Sequence, residues 1–418
     1  MLIPGQTIEL RVEKPAVGGP MIARFEGQIV LVGGAIPGEC VTARVDRVGR
    51  GVAHAQVISI DEPVADRREP FTDPACGGCL YAHIAYARQL EIKADVVVDA
   101  LARIGRITPP DRIIVRPSPD EGYRMRARLH RRDRDIGFFR EGSHELCSAR
   151  RTRQLLPATC DVLDGINQRL QEVEPVTVRE LEVSENVEAS ERVVHLHAVS
   201  PEDVPRLMSV ARIDGLSGLM AGSLVLDGSV YVKDVLAVEQ HRIALRRHVR
   251  TFFQGNRYLL TALVSHVATH ILPGDAVVDL YAGAGLFSIC IAVARGSRLT
   301  SVEGDATAAD DLAENAKASG CDVETIRLPV EEFRAASRSA PAVVIVDPPR
   351  IGMSKAALQV AAGLGAGRIV YVSCDVATLA RDARRLLDAG YLIQRLDAFD
   401  LFPNTPHVET VTVFEGRP

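Results

Sequence analysis

The stretch Val343–Thr378, VVIVDPPRIGMSKAALQVAAGLGAGRIVYVSCDVAT, decides how the chain is read. It holds two short apolar, β-branched runs, each closed by turn residues, and such runs are strands buried on both faces. The first stops at Asp347 and the second just before Cys374. In an open α/β sheet, ligands bind beyond the carboxyl ends of the strands. A carboxylate and a thiol are therefore delivered to one crevice.

Upstream, Ala276–Ala294 (AVVDLYAGAGLFSICIAVA) reads as a strand, a tight loop with Gly283 and Gly285, and a helix. Glycine suits a loop that turns sharply and lets a ligand approach without a Cβ in the way. Glu303, in LTSVEGD, closes the next strand, where an acid suits the ribose hydroxyls of an adenosine-containing ligand. By itself this pair does not separate S-adenosylmethionine from NAD. His248–Leu272 (HVRTFFQGNRYLLTALVSHVATHIL) gives a turn and an apolar-periodic helix with Gln254 and Asn256 at its start. Asn256 suits a helix cap. These segments define a Rossmann-like domain over 246–418.

The 418 residues predict two or three domains. No apolar run is long enough to cross a membrane, and MLIPGQTIEL lacks the pattern of a signal peptide. The expectation is a soluble, cytoplasmic monomer. Eight scattered cysteines then read as reduced thiols, metal ligands or a nucleophile, not a disulfide frame. A net charge of −5 does not mark the whole chain as a nucleic-acid binder, so any such role rests on local charge.

Residues 1–63 alternate apolar and polar residues in short runs (TIELRVEK, GQIVLVGG, CVTARVDRV, VAHAQVISI) between Gly and Pro turns, which predicts a small antiparallel barrel. Residues 64–245 read as a mixed α+β central domain. It opens with a Pro- and Gly-rich loop carrying Cys76-Gly-Gly-Cys79, a pair compatible with zinc, an iron–sulfur cluster, a redox disulfide or no metal at all. Residues 82–104 have helical periodicity ending near Gly105. In Tyr123–Arg134 (YRMRARLHRRDR), strand alternation puts Arg124, Arg126 and Arg128 on one face, either to grip RNA phosphates or as a solvated edge strand. His195 and His197 also share a strand face. With no third ligand at metal spacing they read as ordinary packing.

Asp347–Met353 (DPPRIGM), Tyr371–Asp375 (YVSCD) and Phe399–Thr410 (FDLFPNTPHVET) resemble the signature segments of RNA 5-methyluridine methyltransferases. The likeness extends along nearly the whole chain. It implies a multidomain α/β protein: an oligonucleotide-binding type of barrel called a TRAM domain, a central domain and a class I methyltransferase domain. It implies S-adenosylmethionine as cofactor and RNA as partner, ribosomal over transfer RNA. Gln254, Tyr281, Gly283, Gly285, Glu303 and Asp347 would form the donor pocket. Relatives bind a 4Fe-4S cluster, which here would use Cys76, Cys79 and Cys160. The usual upstream ligand position is Pro70, with Cys147 as the possible replacement. Asp375-Val376 stands where the family has Asn-Pro, and Asn404 where it has Gln or His.

The chemistry follows. C5 of uracil is too weak a nucleophile to take a methyl group directly, so a thiolate must first add to C6. The resemblance gives that role to Cys374 and the later removal of the C5 proton to Glu409. A carboxylate at Asp375 is expected to raise the thiol pKa. Two other functions fit the same residues: a cytosine C5-methyltransferase on RNA, and a non-catalytic RNA-binding factor with a vestigial donor pocket.

Overall fold

The computed structural model describes residues 2–109, 111–132, 134–197, 199–210, 212–335 and 339–416. Asp133, inside the basic stretch, lies outside them. Near the N-terminus, β1 (Thr7–Pro15), β2 (Met21–Phe25), β3 (Gln28–Gly33), β4 (Cys40–Val48) and β5 (Val52–Glu62) close into a barrel in the order β1-β2-β3-β5-β4. Alternate residues point inward, such as Ile8, Leu10 and Val12 on β1 and Val41, Ala43 and Val45 on β4. The strand β2 is the one the sequence patterning does not mark.

The helix expected over 82–104 is α1 (Tyr86–Ala100), followed by a π-helical turn to Gly105 and stopped by Arg106 in the left-handed region (φ 55°). Its apolar residues Ile92, Val96 and Val97 do not face the central domain. They join the core under the catalytic sheet, and β6 (Val115–Arg116) adds to the edge of that sheet. Of the expected central unit 64–245, the segment 86–116 packs on the C-terminal domain, while Cys76, Cys79 and Ala82 lie in the core of the central sheet. Fully buried Lys93 of α1 fixes this docking through a 2.5 Å bond to Asp400.

The central sheet contains β7 (Arg126–Arg132), β8 (Asp135–Phe139), β9 (Leu146–Ser148), β10 (Glu180–Glu185), β11 (Arg192–Leu196), β12 (Gly218–Ala221) and β13 (Leu224–Gly228), in the order β13-β12-β11-β10-β7-β8-β9. One face (Leu129, Leu181, Val183, Val194) packs under α2 (Pro157–Glu172), near the short helix α3 (Val204–Leu207). The opposite face carries the polar row of Arg126, Arg128, Glu180, Glu182 and His195 and, beside it, a small apolar patch in which Val193 and Met220 pack on Val232 and Val249. A hairpin, β14 (Tyr231–Val238) and β15 (His241–His248), leads to the catalytic domain. Buried Arg247 bonds Asp234 at 2.8 Å and also reaches Ser184 and the Glu185 carbonyl, fastening the hairpin to the central sheet.

The catalytic sheet is built from β16 (Ala276–Leu280), β17 (Arg298–Glu303), β18 (Val323–Arg327), β19 (Val343–Val346), β20 (Arg368–Ser373), β21 (Tyr391–Phe399) and β22 (Glu409–Gly416). The order is β18-β17-β16-β19-β20-β22-β21-β6, with β22 antiparallel to its neighbours β20 and β21. The helices are α4 (Leu260–Ala268), α5 (Leu286–Arg295), α6 (Ala306–Ser319), α7 (Lys355–Gly363) and α8 (Val376–Asp388). Val344 and Val346 enter the core shared with α7 and α8, while Val343 and Ile345 enter that of α4 and α5. Burial on both faces accounts for the unbroken apolar runs. Strand order reverses at β16, between β17 and β19, which is where such sheets open a ligand crevice. Among the described residues, no helix is long and apolar enough to cross a membrane.

Candidate active site

Sheet register assembles the site. Leu280 pairs with both Val302 and Val346, so Tyr281, Glu303 and Asp347 emerge together at the ends of β16, β17 and β19. Ser373 pairs with Thr410, and the Thr410 hydroxyl donates to the Ser373 carbonyl at 3.0 Å. One residue beyond that pair, Cys374 comes level with Glu409. All the catalytic and donor-pocket residues predicted on strands thus lie along one edge.

The donor side is preorganised by the backbone. Tyr281 has φ 65°, Gly283 φ 57° and Gly285 φ 90°, which bend the loop into the left-handed region three times. A Cβ on Gly283 would meet nothing within 4 Å, leaving open space where a ligand can approach, whereas one on Gly285 would stand 2.9 Å from Ile289 and Leu312. The two glycines answer different needs: access at the first, helix packing at the second. Glu303 accepts from Gly283 N at 2.8 Å and Asp305 N at 2.6 Å, which holds its carboxylate toward the loop. Gln254 donates to Asp347 at 3.2 Å. Asn256 accepts from the backbone N–H groups of Tyr258 and Leu259 at 3.0 and 3.1 Å, bracing the turn that leads into α4 instead of capping the helix itself, whose N-cap is Leu259.

The reaction side is acidic, with Cys374 half-buried at the end of β20. Burial pushes the Cys374 thiol up to about 12, with the charges of Glu409, Asp347 and Asp375 acting the same way and Arg350 opposing them. Asp375 has the smallest part in this. Its side chain caps α8 instead, accepting from Thr378 N at 2.8 Å. Aspartate and asparagine cap helices equally well, which accounts for the replacement in structural terms. Glu409 is buried and neither of its oxygens has a hydrogen-bond partner. Burial first, then the Asp347 charge, hold its carboxyl well above the usual carboxylate range. Asp347 is lifted to about 7 by burial, with Gln254 pulling it back.

Residues 220–417 match the model of the tRNA (Uracil-5-)-methyltransferase family, and residues 3–58 that of the TRAM domain. The 23S rRNA (uracil(1939)-C(5))-methyltransferase RlmD of Alkalilimnicola ehrlichii is 31% identical, across 99% of this chain and 97% of that protein. The chain belongs to the RNA uracil-C5 methyltransferase family. As a member it is an S-adenosylmethionine-dependent methyltransferase acting on C5 of uridine in RNA. The RlmD protein of Pseudomonas entomophila is 30% identical across 99% of this chain and 94% of its own length. The solved structure of Pyrococcus abyssi tRNA (uracil-54, C5)-methyltransferase in complex with S-adenosyl-L-homocysteine has the same fold (TM-score 0.76, 24% identity, covering 97% of this chain and 99% of that one).

In this uracil-C5 methyltransferase the other predicted residues are placed as follows. Cys76, Cys79, Cys147 and Cys160 all lie in the apolar core of the central domain. Cys76 and Cys147 are joined as a disulfide with Cα atoms 6.0 Å apart, a single bond where the sequence reading set aside a disulfide frame and gave both cysteines as candidate metal ligands. The cause is non-local: the β8–β9 hairpin pairs Cys147 with Phe138, and an isolated bridge pairs Cys76 with Arg140 of the same hairpin. Burial raises Cys79 to about 12 and Cys160 to about 11.

The basic face is less bare than its sequence. Arg126 is paired with Glu182 and Arg128 with Glu180, both from the adjoining β10. Arg124 precedes the strand, donates to Gln154 at 2.7 Å and lies over the Phe138 ring. Two participants escaped the sequence reading. Arg350, inside the quoted DPPR segment, acts electrostatically on Cys374, Glu409 and His407, and its place just past a strand end was the available signal. Glu182 had no local signal, because it meets His195 only through strand pairing.

Proposed function

We propose that the methylated uridine belongs to ribosomal RNA and that methylation runs through a covalent bond between Cys374 Sγ and C6 of the base. The juxtaposition of Cys374 and Glu409 across the paired ends of β20 and β22 carries this reading. The ribosomal assignment is supported by the two RlmD relatives, which the chain matches over almost their full lengths.

The chemistry needs three things of the protein. Cys374 must lose its proton and add to C6, moving the C5=C6 electron pair onto C5 and the adjoining carbonyl. Bound S-adenosylmethionine supplies an electrophilic methyl group, which C5 takes. The Glu409 carboxylate then removes the C5 proton, and the returning electron pair rebuilds C5=C6 and expels the thiolate. A thiol at about 12 is protonated in the resting site, so thiolate formation depends on positive charge brought close. Arg350 is the group of this chain that acts in that direction. A raised carboxyl at Glu409 serves both stages: neutral, it does not repel the forming thiolate, and once ionised it is a stronger base than an ordinary carboxylate.

The four thiols of the central core offer the donor number that a 4Fe-4S cluster takes, with Cys147 in place of the absent ligand at Pro70. In the disulfide form two of these donors are committed to each other, so a cluster requires the reduced state. Anaerobically purified protein is expected to be brown, with iron and sulfide in comparable amounts. Colourless, iron-free and fully active protein would refute the cluster. For the ribosomal target, nucleoside mass spectrometry of separated RNAs from a deletion strain should show that ribosomal RNA no longer carries the 5-methyluridine. Loss confined to transfer RNA contradicts the assignment.

A further inference from the structure

On the polar face of the central sheet, β10 and β11 pair so that Glu182 lies directly across from His195, and His197 follows two residues later on the same side. One ligand atom from each of Glu182, His195 and His197 lies within 4.8 Å of the others. We propose that these three residues form a binding site for a borderline divalent cation of the zinc type, apart from both the catalytic crevice and the cysteine core.

The hydrogen bonding prepares the site. His195 Nε2 lies 2.9 Å from the Gly222 carbonyl. A carbonyl only accepts, so this nitrogen carries the proton and Nδ1 presents its lone pair. That Nδ1 and His197 Nε2 are both buried without a hydrogen-bond partner. An imidazole whose far N–H is anchored on a backbone carbonyl while its other nitrogen stays free is the usual outer-sphere arrangement of a metal-bound histidine. His195 and Glu182 are 4% and 6% exposed, so the ligand atoms are sheltered from competing water.

Distances select the ion. His197 Nε2 and Glu182 Oε2 stand 3.6 Å apart. Bonds of about 2.0–2.1 Å in a tetrahedron place neighbouring ligand atoms about 3.3 Å apart, so small rotations close the site, with the fourth position left to water. Charge selects it further. Arg126 already holds the other oxygen of Glu182, and Arg250 acts on His195, so an entering cation works against two guanidinium groups. Glu180, 3.9 Å from His197 Nδ1, offsets part of this. Magnesium and calcium, which want several oxygen ligands, have no means of competing here. Zinc does, through two imidazoles.

The test uses the full-length protein and Zn²⁺. Bound zinc is counted by native mass spectrometry in the wild type, His197→Ala and Cys79→Ser, the last to separate any ion held in the cysteine core. His197→Ala should lose one ion per chain, and Cys79→Ser should retain the histidine-dependent ion. Equal zinc content in wild type and His197→Ala overturns the proposal. A second measurement needs no variant: zinc should protect His195 and His197 from acylation by diethyl pyrocarbonate several-fold, read peptide by peptide. Unchanged labelling of both histidines in the presence of zinc also overturns it.

Discussion

Cys374 and Glu409 belong to strands that run in opposite directions, and the Ser373–Thr410 pair brings them level at the edge of the catalytic sheet. The nucleophile thus comes from the end of one strand and the base from the start of the next, so neither needs a flexible loop to reach the other. Burial, nearly complete at Glu409 and partial at Cys374, raises both pKa values. Addition and elimination at one base are the tasks this arrangement suits.

Arg350 opposes the burial that keeps Cys374 protonated. Arg350→Gln should slow adduct formation about tenfold for each unit by which the thiol pKa rises. Donor affinity should not change. Rapid quench of the protein–RNA adduct measures the first, and equilibrium titration with S-adenosylmethionine the second. Equal adduct rates would remove Arg350 from thiol activation.

Fully buried Asp279 accepts from Ser288 at 2.5 Å and is raised by burial to about 7. The folded protein therefore keeps a proton that the unfolded chain releases nearer the ordinary value of 3.8. The stability this confers is full below the unfolded pKa and is lost as pH rises through about 7. Urea melts should show stability falling over that window, and Asp279→Asn should flatten the slope. An unchanged slope in the variant would mean Asp279 is ionised in the folded state.

The β7 arginines are held by β10 carboxylates, and this gives the RNA grip two opposite tests. Arg126→Gln with Arg128→Gln should weaken RNA binding across sequences and lower the salt slope by about one unit for each phosphate no longer neutralised. Glu180→Gln should release Arg128 and tighten binding, most at low salt. If neither affinity nor slope moves in either variant, the RNA lies elsewhere.

Capping by Asp375 predicts a stability series. Asp375→Asn should leave thermal stability within a few tenths of a kcal/mol, and Asp375→Ala should cost about 1 kcal/mol. Calorimetry decides. A loss as large in the asparagine variant would show that the negative charge, and not the cap, is what the site needs.

What the sequence made legible was local. Apolar runs stopping at Asp347 and Cys374, alternation in the barrel and the helix ending at Gly105 all follow from periodicities of two and 3.6 residues. Strand pairing between distant segments is not written in any window. That is why the docking of α1 and β6 on the C-terminal sheet does not show in the sequence, why only the family resemblance, and no local pattern, brings Cys147 to Cys76, and why Glu182 goes unseen beside His195. The same cause hides the neutralisation of Arg126 and Arg128: the run of arginines is visible in β7, but Glu180 and Glu182 come from about fifty residues away in a strand whose register the sequence does not reveal. Asn404 is a middle case. Its left-handed backbone (φ 62°) suits asparagine, yet its bonds to Arg68 at 2.7 Å and Gln89 at 2.9 Å depend on the docking of α1.

The division of labour between Cys374 and Glu409 is tested most directly by denaturing electrophoresis of enzyme mixed with substrate RNA and methyl-labelled S-adenosylmethionine. Glu409→Gln should accumulate a methyl-labelled protein–RNA adduct, because addition and methyl transfer proceed while the C5 proton stays. Cys374→Ala should bind RNA and donor yet form no adduct, and the double variant should match it. Methylated RNA from Cys374→Ala, or normal turnover by Glu409→Gln, would contradict the account.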